Sequence, residues 1–354
     1  MKIGILSMQR VNNYGSFWQA YCLKKILTEM KHTVEFIDII PGHQIHESFY
    51  KRSYNLSKVK RLPYYLFHYQ RCKLFQQFQV QKLGCTEQKN YSSDYDRIMI
   101  GSDEVFNFVQ DSPWGYSTQL YGGIYNPNVS TYAASFGYSV YEDIKKYGLE
   151  DSMRNALQNL KHISVRDSNS QEIIAKLLPN TQVERHLDPV LVGALPVPSP
   201  SQDKKDYIVI YAYDFRFKDQ EYINCIRRIA RAKHMKIYSV GFYQDWVDEN
   251  ILPTPYDLLH WFRNAKYVIT DTFHGTIFSI RCHRKFLTIV RDTNLQKLTS
   301  LLQSVRLEQR LICSAEGFYE KLKEEIDYDA VEIIRKQNQE RSISYLKKCI
   351  DEKK

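Results

Sequence analysis

The stretch KYVITDTFHGTIFSI, Lys266–Ile280, combines a short apolar segment, a polar connection and a second apolar segment. Tyr267–Ile269 is β-branched and too short for a helix, which is typical of a buried parallel strand. Gly275–Ile280 is typical of the first turns of a helix. Ligands of open α/β sheets bind at the carboxyl ends of the strands. The polar connection is therefore predicted to be a binding site.

Thr270, Asp271, Thr272 and His274 lie together on this predicted strand-to-helix loop. They provide a carboxylate, hydroxyls and an imidazole beside the free N–H groups of a helix N-terminus. This set suits an anionic substrate that needs a proton moved. The alternative is structural: Thr270 or Asp271 caps the helix and His274 packs locally.

The flanking sequence predicts an α/β fold with two Rossmann-like domains. Upstream, a strand at Lys2–Ser7, a helix at Ser16–Met30 and a strand at Val34–Asp38 form a βαβ unit. Downstream of a Pro-rich segment, strands again alternate with helices. We predict an N-terminal domain at residues 1–187 with a helical insertion at 41–90, a linker at 188–204, a second domain at 205–325, and a C-terminal helix at 326–354 that packs back. Two such domains are expected to face each other across a cleft.

Charge and composition narrow the function classes. The 354 residues carry a net charge of +9, with a pI near 9.0, and the excess is spread along the chain apart from a basic, aromatic segment at Lys51–Lys82. This pattern favours acidic small molecules or an anionic membrane surface over nucleic acid. No zinc-finger spacing and no platform for single-stranded nucleic acid is visible.

The seven cysteines are scattered and form no C-x-x-C pair, which favours a reduced, cytoplasmic protein without a metal centre. The apolar run at the N-terminus is too short for a signal peptide. No run approaches the roughly 20 apolar residues that span a bilayer. Peripheral contact with the inner face of a membrane stays open.

The N-terminal half offers further polar residues after strands. Asn13, Tyr14 and Gly15 follow the first strand, and Gly101, Ser102 and Asp103 follow a strand ending at Ile100. A turn with a helix N-cap is the structural alternative for both. Arg166 ends a short strand and is the best cation for an anionic ligand in this half. Its alternative role is an ion pair with a neighbouring acid.

With these residues in place, the chain resembles the polysaccharide pyruvyl transferase family. Five ordered blocks carry the resemblance: Asn12–Gly15 with Gln19–Tyr21; Ile100–Asp103 with Val105 and Asn107; Tyr132–Gly137; Ile163–Asp167 followed by Asp188-Pro189; and Ala265–Ser279. Each block is weak alone, but five in the right order indicate membership. The resemblance covers most of the chain, from Ile3 to about Leu311.

The resemblance implies a glycosyltransferase-B-like fold and transfer of a pyruvyl group from phosphoenolpyruvate to two hydroxyls of a sugar, giving a ketal, with no cofactor. It implies that His274 is the catalytic acid and base, with Asp271 beside it. The expected donor-binding residues are Arg166, Thr270, Thr272, Gly275 and Thr276. The expected acceptor-binding residues are Asn13, Tyr14, Gly15, Gly101, Ser102, Asp103, Asn107 and Ser135. The partners are phosphoenolpyruvate and a glycan acceptor, with a lipid-linked acceptor as an open alternative.

The chain departs from the family pattern at two places. Thr272 stands where some members carry an arginine, so Arg263, Arg281 or Arg284 would have to supply the phosphate contact. Glu104, Phe106 and Phe108 stand at the family's Gln, Trp and Pro positions. Two other functions stay open: a nucleotide-sugar-dependent glycosyltransferase of the same fold, and a glycan-binding relative without catalysis.

The basic, aromatic segment Lys51–Lys82 is predicted to lie outside the two sheets and to receive the acceptor at a membrane face. The alternative is a solvated helical insertion whose aromatic side chains cover the N-terminal domain.

Overall fold

The computed structural model describes residues 1–45, 58–201, 206–291 and 293–352, with the backbone alone at 58–61. The chain forms two compact units. Unit 1 comprises Met1–Ser57, Phe75–Ala194 and Lys336–Lys354, and unit 2 comprises Lys58–Leu74 and Leu195–Arg335. Across the described ranges, no helix is both long enough and apolar enough to span a bilayer.

Unit 1 is built on a parallel six-stranded sheet. Its strands are β1 (Lys2–Leu6), β2 (Thr33–Ile37), β3 (Arg97–Asp103), β4 (Val129–Ala134), β5 (Ile163–Val165) and β6 (Val183–Arg185), in the spatial order β2-β1-β3-β4-β5-β6. The order reverses between β1 and β3. In open sheets a ligand binds beyond the carboxyl ends of the strands at such a switch point.

Unit 2 has a second parallel six-stranded sheet. Its strands are β7 (Tyr207–Tyr211), β8 (Lys236–Val240), β9 (Glu249–Ile251), β10 (Tyr267–Thr270), β11 (Lys285–Ile289) and β12 (Leu311–Ile312), in the order β12-β11-β10-β7-β8-β9. Numbered from the first strand of the unit, this is the Rossmann order 3-2-1-4-5-6. The switch point lies between β7 and β10. The predicted α/β fold of two Rossmann-like units is confirmed.

Helices connect the strands in both units. They are α1 (Tyr14–Glu29), α2 (Lys58–Phe78), α3 (Tyr141–Lys146), α4 (Glu150–Leu157), α5 (Ser168–Leu177), α6 (Pro189–Val192), α7 (Gln220–Ala232), α8 (Pro255–Asn264), α9 (Phe273–Arg281), α10 (Leu295–Gln303), α11 (Phe318–Lys323) and α12 (Tyr328–Asp351). Short 3₁₀ turns lie at Thr118–Tyr121 and Glu308–Arg310, and a π-helical turn at Gln79–Leu83 continues α2.

The C-terminal helix α12 packs back on the first sheet, as predicted. Its part within unit 1 begins at Lys336. Tyr345 is buried there, and its hydroxyl donates to the backbone carbonyl of Thr131 on β4 at 2.9 Å. A buried tyrosine hydroxyl needs such a partner, because an unpaired one costs free energy.

Two segments differ in detail from the sequence expectation. The chain leaves unit 1 after Ala194, and Pro189–Val192, inside the predicted linker, form the short, buried helix α6. The predicted insertion at 41–90 contains one long helix, α2, and its residues Lys58–Leu74 group with unit 2. Of the basic, aromatic segment, residues 51–57 lie outside the described residues.

Candidate functional site

Thr270 and Thr272 fix the path of the chain from β10 into α9. The Thr270 hydroxyl donates to the backbone carbonyl of Tyr211 at 2.6 Å and accepts from the Thr272 N–H at 3.1 Å. Thr272 is the N-cap of α9, and its hydroxyl accepts from the Gly275 N–H at 2.9 Å. A cap of this kind stabilises a helix by about 1 kcal/mol. Both hydroxyls are thus used within the turn, but the cap is Thr272 and not Thr270 or Asp271, which the structural alternative named.

Gly275 and Thr276 belong to the same tightly packed turn. A Cβ atom on Gly275 would lie 2.2 Å from the Thr270 hydroxyl and 2.6 Å from the Thr272 hydroxyl. Thr276 is fully buried, and its hydroxyl donates to the Thr272 carbonyl at 2.9 Å. These residues shape the helix N-terminus, so any contact with a donor at this turn would add to a structural role.

His274 lies in the first turn of α9 and not on a loop, because the Thr272 cap starts the helix at Phe273. The imidazole is 8% exposed. Its ring centroid lies 5.5 Å from that of Phe273 and 6.2 Å from that of Phe278. The helix backbone and these aromatic rings hold the histidine in place. A fixed position is what a proton-transfer group needs.

Asp271 connects the strand to the capped helix and is 3% exposed. Its Oδ2 atom forms an ion pair with Nη2 of Arg291 at 2.8 Å, and the Asn294 side-chain amide donates to its backbone carbonyl at 2.8 Å. Its Oδ1 atom is buried and has no hydrogen-bond partner within the described ranges. Leaving a buried acceptor unpaired costs about 1–3 kcal/mol. Oδ1 is therefore a buried acceptor that the described residues leave unsatisfied.

Two arginines act on the Asp271 carboxylate. Burial raises the pKa of Asp271, and the positive charges of Arg291 and Arg216 partly offset this rise. Burial also lowers the pKa of Arg291; Asp271 opposes this effect and Arg216 adds to it through like-charge repulsion. Both arginines are partly exposed. Two cations against one carboxylate leave an excess of positive charge that suits an anionic ligand.

The strand order explains why these side chains meet. Arg216 follows β7, Asp271 follows β10 and Arg291 follows β11, and these strands are neighbours in the sheet. The Arg216 guanidinium also lies 5.1 Å from the ring centroid of Tyr213, which is partly exposed at the same edge. Sequence reasoning missed both arginines. The strand-end rule, applied to β7 and β11 as well as to β10, would have found them.

The arginines that were expected to replace the family arginine lie elsewhere. The Arg263 guanidinium donates to the Cys282 backbone carbonyl at 2.8 Å, and Arg284 donates to the same carbonyl at 3.1 Å. Arg281 is the last residue of α9. All three lie at the C-terminal end of this helix, opposite the end that carries His274. They therefore lie at the other end of α9 from Asp271, Arg216 and Arg291.

In unit 1, Arg166 is surrounded by carboxylates at the carboxyl edge of the sheet. Its guanidinium lies 3.1 Å from Asp188, 3.5 Å from Asp103 and 3.9 Å from Glu104, and its side chain is 1% exposed. Burial lowers the pKa of Arg166, but the attraction of these carboxylates outweighs burial and raises it. Three carboxylates against one guanidinium leave an excess of negative charge. The ion-pair alternative therefore describes Arg166 better than the predicted contact with an anionic donor.

Asp103 and Glu104 form the exposed part of this cluster, which we call the acidic cluster, with Asp188 and Arg166 beneath. Their side chains are 13% and 17% exposed. The Ser16 hydroxyl donates to Asp103 at 2.8 Å, and the Asn107 amide donates to Glu104 at 2.7 Å. The cluster lies at the switch point of the first sheet, since Ser16 is at the start of α1 after β1 and Asp103 ends β3.

Ser102 and Gly101 support the acidic cluster from inside. Ser102 is fully buried, and its hydroxyl lies 3.1 Å from Oδ2 of Asp188 and 3.0 Å from the Ala133 carbonyl. Gly101 has a φ of 115° and a Cβ there would lie 2.3 Å from the Tyr132 carbonyl oxygen. Only glycine fits this position without strain. Asp188, which was not predicted as a site residue, is recognisable only through its spatial partners.

The remaining predicted acceptor residues have structural partners. Asn13 caps α1 by accepting from the Ser16 N–H at 2.7 Å, and Gly15 is buried in the first turn of that helix. Tyr14 is fully buried, with its ring 4.8 Å from that of Phe75. Ser135 is fully buried, and its hydroxyl donates to Asp167 at 2.6 Å. Fully buried side chains do not reach a sugar, so we do not place Tyr14 and Ser135 among the acceptor contacts.

Solved structures show where this fold occurs. The chain is similar to a putative UDP-N-acetylglucosamine 2-epimerase from Listeria monocytogenes, with a TM-score of 0.55 and 10% identity over 100% of this chain and 97% of that chain. It is similar to UDP-GlcNAc 2-epimerase from Neisseria meningitidis, with a TM-score of 0.52 and 9% identity over 99% of both chains. It is also similar to the glycotransferase of kitacinnamycin, with a TM-score of 0.50 and 8% identity over 99% of this chain and 98% of that chain. At these identities the likeness shows the fold alone.

Sequence comparison identifies the family. No curated protein matches the chain by sequence. The model of the polysaccharide pyruvyl transferases matches residues 13–293. This range contains His274, Arg216, Arg291 and the acidic cluster. Because the match spans well over half of the sequence, the chain belongs to the polysaccharide pyruvyl transferase family.

Proposed function

We propose that the protein transfers a pyruvyl group from phosphoenolpyruvate to two hydroxyls of a sugar in a polysaccharide or glycan precursor, forming a pyruvate ketal. Family membership supports a transferase of this class. The observation that carries the proposal is the excess of positive charge from Arg216 and Arg291 around the buried Asp271. Asp271 directly precedes the cap of the helix whose first turn contains His274. Phosphoenolpyruvate carries a phosphate and a carboxylate, so it needs cations beside a group that moves protons.

Arg216 and Arg291 are the proposed donor-binding residues. A guanidinium binds phosphate or carboxylate oxygens through two parallel hydrogen bonds. These two arginines would perform the role that an arginine at position 272 has in some family members. The capped N-terminus of α9, shaped by Thr272 and Gly275, adds a positive partial charge at the same edge.

His274 is the proposed acid and base. In the first step the methylene carbon of phosphoenolpyruvate gains a proton and becomes a methyl group, which leaves positive charge on the neighbouring carbon. One sugar hydroxyl attacks this carbon and loses its proton, and the bond to the phosphate oxygen breaks. A second hydroxyl then closes the ring and loses its proton. Of the two hydroxyl protons, one balances the new methyl group and the other leaves with phosphate.

An imidazole can perform these transfers near neutral pH, and a positioned group of this kind contributes roughly 10²–10⁴-fold to the rate. Asp271 is the second proposed catalytic residue. Its Oδ1 atom has no hydrogen-bond partner in the described parts of the chain, so it can accept a hydrogen bond from an attacking hydroxyl. Its Oδ2 atom would meanwhile hold Arg291 in place.

The acidic cluster of unit 1 is the proposed acceptor-binding region. Ionised carboxylates only accept hydrogen bonds, and sugar hydroxyls are donors. Asp103 and Glu104 are partly exposed, and Asn107 offers an amide beside them. We place the reaction in the cytoplasm, where phosphoenolpyruvate is made. The acceptor is a glycan precursor that can be lipid-linked.

Separate incubations with phosphoenolpyruvate and with a UDP-sugar, each with a panel of glycan acceptors, test the proposal. We expect release of inorganic phosphate from phosphoenolpyruvate and a small, pyruvyl-sized mass increase of one acceptor. A larger, hexose-sized increase with the UDP-sugar would replace the proposal by a glycosyltransferase. Acceptor binding without any mass change under both conditions would indicate a glycan-binding relative.

A further inference from the structure

Helix α2 carries a row of exposed apolar side chains on one face. Leu62, Tyr65, Leu66 and Tyr69 are 74%, 57%, 55% and 56% exposed. Their spacing of three and four residues places them side by side along the helix. We call these four residues the outer stripe. Large contiguous apolar patches are uncommon on protein surfaces and mark interaction sites.

The opposite face of α2 accounts for its packing within unit 2. Tyr64 and Phe67 are buried, and their rings lie 5.9 Å and 5.8 Å from that of Tyr243. Arg71 is buried and forms two hydrogen bonds with Asp214, at 2.9 Å and 2.6 Å. This inner face attaches α2 to the strand ends of unit 2. The outer stripe therefore contributes nothing to that attachment. Tyr64 and Phe67 pack on unit 2, whereas Phe75 and Phe78 near the end of α2 pack in unit 1, with ring centroids 6.4 Å and 6.1 Å from that of Phe17, so the alternative of aromatic cover over the N-terminal domain describes only that end of the helix.

The sequence that contains the outer stripe carries charge of a single sign. From Ser48 to Thr86 the sequence contains no Asp or Glu, whereas it contains Lys51, Arg52, Lys58, Lys60, Arg61, Arg71, Lys73 and Lys82. On α2 itself, Lys73 is exposed and its ammonium lies 4.6 Å from the ring centroid of Tyr69. The first turn of α2 contains Lys58, Lys60 and Arg61 and no acid. Cations at a helix N-terminus oppose the helix dipole, so helix stability does not explain them.

We propose that the outer stripe docks on an anionic phospholipid bilayer. Leucine and tyrosine at the level of the headgroups, with lysine and arginine beside them, is the composition of an interfacial helix. Tyrosine rings favour the membrane–water interface, and long cationic side chains reach anionic headgroups. A second protein would need complementary acids, and this chain has no acidic segment of comparable length to supply them in a self-association.

Co-sedimentation of the full-length protein with phosphatidylglycerol–phosphatidylcholine vesicles tests the proposal. We expect binding at low salt, weaker binding at physiological salt, and none to pure phosphatidylcholine, because surface attraction is screened by ions. L62S/L66S should reduce binding about tenfold. K58E/K60E/R61E should reduce it by more than about 100-fold, since each lost cation near an anionic surface contributes about a factor of five and the new carboxylates are repelled.

Matched controls separate the outer stripe from general properties of the protein. I333S/Y125S changes two other exposed apolar residues, and R231E/K233E/K236E changes the net charge by the same amount at three exposed cations elsewhere in the chain. Both should bind vesicles like the wild type. Absence of wild-type binding, or equal losses in the stripe variants and the controls, would overturn the proposal. A wild-type dimer that L62S/L66S converts to a monomer would also overturn it, because the stripe would then join two copies. The assay contains no substrate, so its failure leaves the proposed transfer reaction unaffected.

Discussion

Arg291 and Asp271 form an ion pair at 2.8 Å across the ends of two neighbouring strands, β11 and β10. Burial disfavours the charged form of both partners, as the raised pKa of Asp271 and the lowered pKa of Arg291 indicate. Desolvation of such a pair can exceed its Coulombic gain. Stability is thus a weak explanation for the pair. Orientation of Arg291 toward a donor anion is a better one, since Arg216 supplies a second cation.

Arg291→Ala should raise the KM for phosphoenolpyruvate much more than that for the acceptor. Loss of a charged hydrogen bond costs about 1.5–3 kcal/mol, which corresponds to a factor of roughly 10 to 150. Steady-state kinetics with each substrate varied in turn measures the effect. Arg263→Ala is the matched control, because its guanidinium binds the Cys282 carbonyl at the other end of α9. The control should leave the donor KM unchanged.

Arg291→Ala also removes the cation that is paired with buried Asp271 and leaves Arg216 as the nearest remaining arginine, so a second variant is needed. Asp271→Asn in the same chain removes that uncompensated charge and should restore thermal stability. Because Asp271 is also a proposed catalytic residue, donor binding is measured without turnover, and the dissociation constant of the double variant for phosphoenolpyruvate should stay high. A normal dissociation constant in the double variant would show that Arg291 only neutralises Asp271 and does not bind the donor.

His274→Ala should abolish transfer and leave the fold intact. The imidazole is fixed in the first turn of α9, and the loss of a general acid–base group lowers turnover by roughly 10²–10⁴-fold. Phosphate release measures turnover, and circular dichroism checks folding. His260→Ala, an exposed histidine on α8, serves as the control and should behave like the wild type. Wild-type turnover by folded His274→Ala would exclude a role in proton transfer.

The sequence predicted the β10–turn–α9 unit because its signals are local. The apolar run Tyr267–Ile269 predicts a buried strand, and Gly275–Ile280 predicts the first turns of a helix. The helix begins at Phe273, before its predicted start at Gly275, because Thr272 caps it, so His274 lies in the helix and not on the predicted loop. The two parallel sheets followed from the same alternation of strands and helices.

The partners of charged residues could not be predicted in this way. Arg166 meets Asp103, Glu104 and Asp188 only because β3, β5 and the segment after β6 end at one edge of the sheet. A cation seen alone in the sequence favoured an anionic ligand. The three carboxylates around its guanidinium reverse that interpretation. Arg216 and Arg291 were missed because they are far from His274 in sequence and become neighbours only through the strand order.

Arg166→Met should destabilise unit 1 by about 3–5 kcal/mol, because removing one partner leaves buried carboxylates without compensation. In contrast to a donor contact, an ion pair within the acidic cluster predicts that the donor KM stays unchanged. Thermal unfolding and kinetics on the same preparation test this. Arg154→Met is the control, since its ion pairs with Glu150 and Asp151 are largely exposed and should contribute little. A stable Arg166→Met protein with only the donor KM raised would restore the role in donor binding.

His186 should make unit 1 sensitive to acid. It follows β6 and is 7% exposed; the Ser164 hydroxyl lies 2.9 Å from its Nδ1, and the Tyr345 ring centroid lies 4.4 Å away. The Ser164 hydroxyl accepts from the Ala133 N–H, so it can donate to a neutral imidazole. Burial, together with the charge of Arg341, lowers the pKa of His186 to about 4.

The direction of the effect follows from proton binding. An unfolded histidine takes up a proton below a pH of about 6.5, whereas folded His186 stays neutral to about pH 4. The unfolded state thus binds more protons in this window. The contribution of neutral His186 to the free energy of unfolding is fully present above about pH 6.5. It falls as the pH drops toward 4, by about 3 kcal/mol in total.

Hydrogen exchange of the β5–β6 amides at pH 7 and pH 4.5, corrected for intrinsic rates, measures the loss. His186→Gln should lose less protection on acidification than the wild type, and His260→Gln should lose as much. Equal losses in His186→Gln and the wild type would assign the acid sensitivity to other groups.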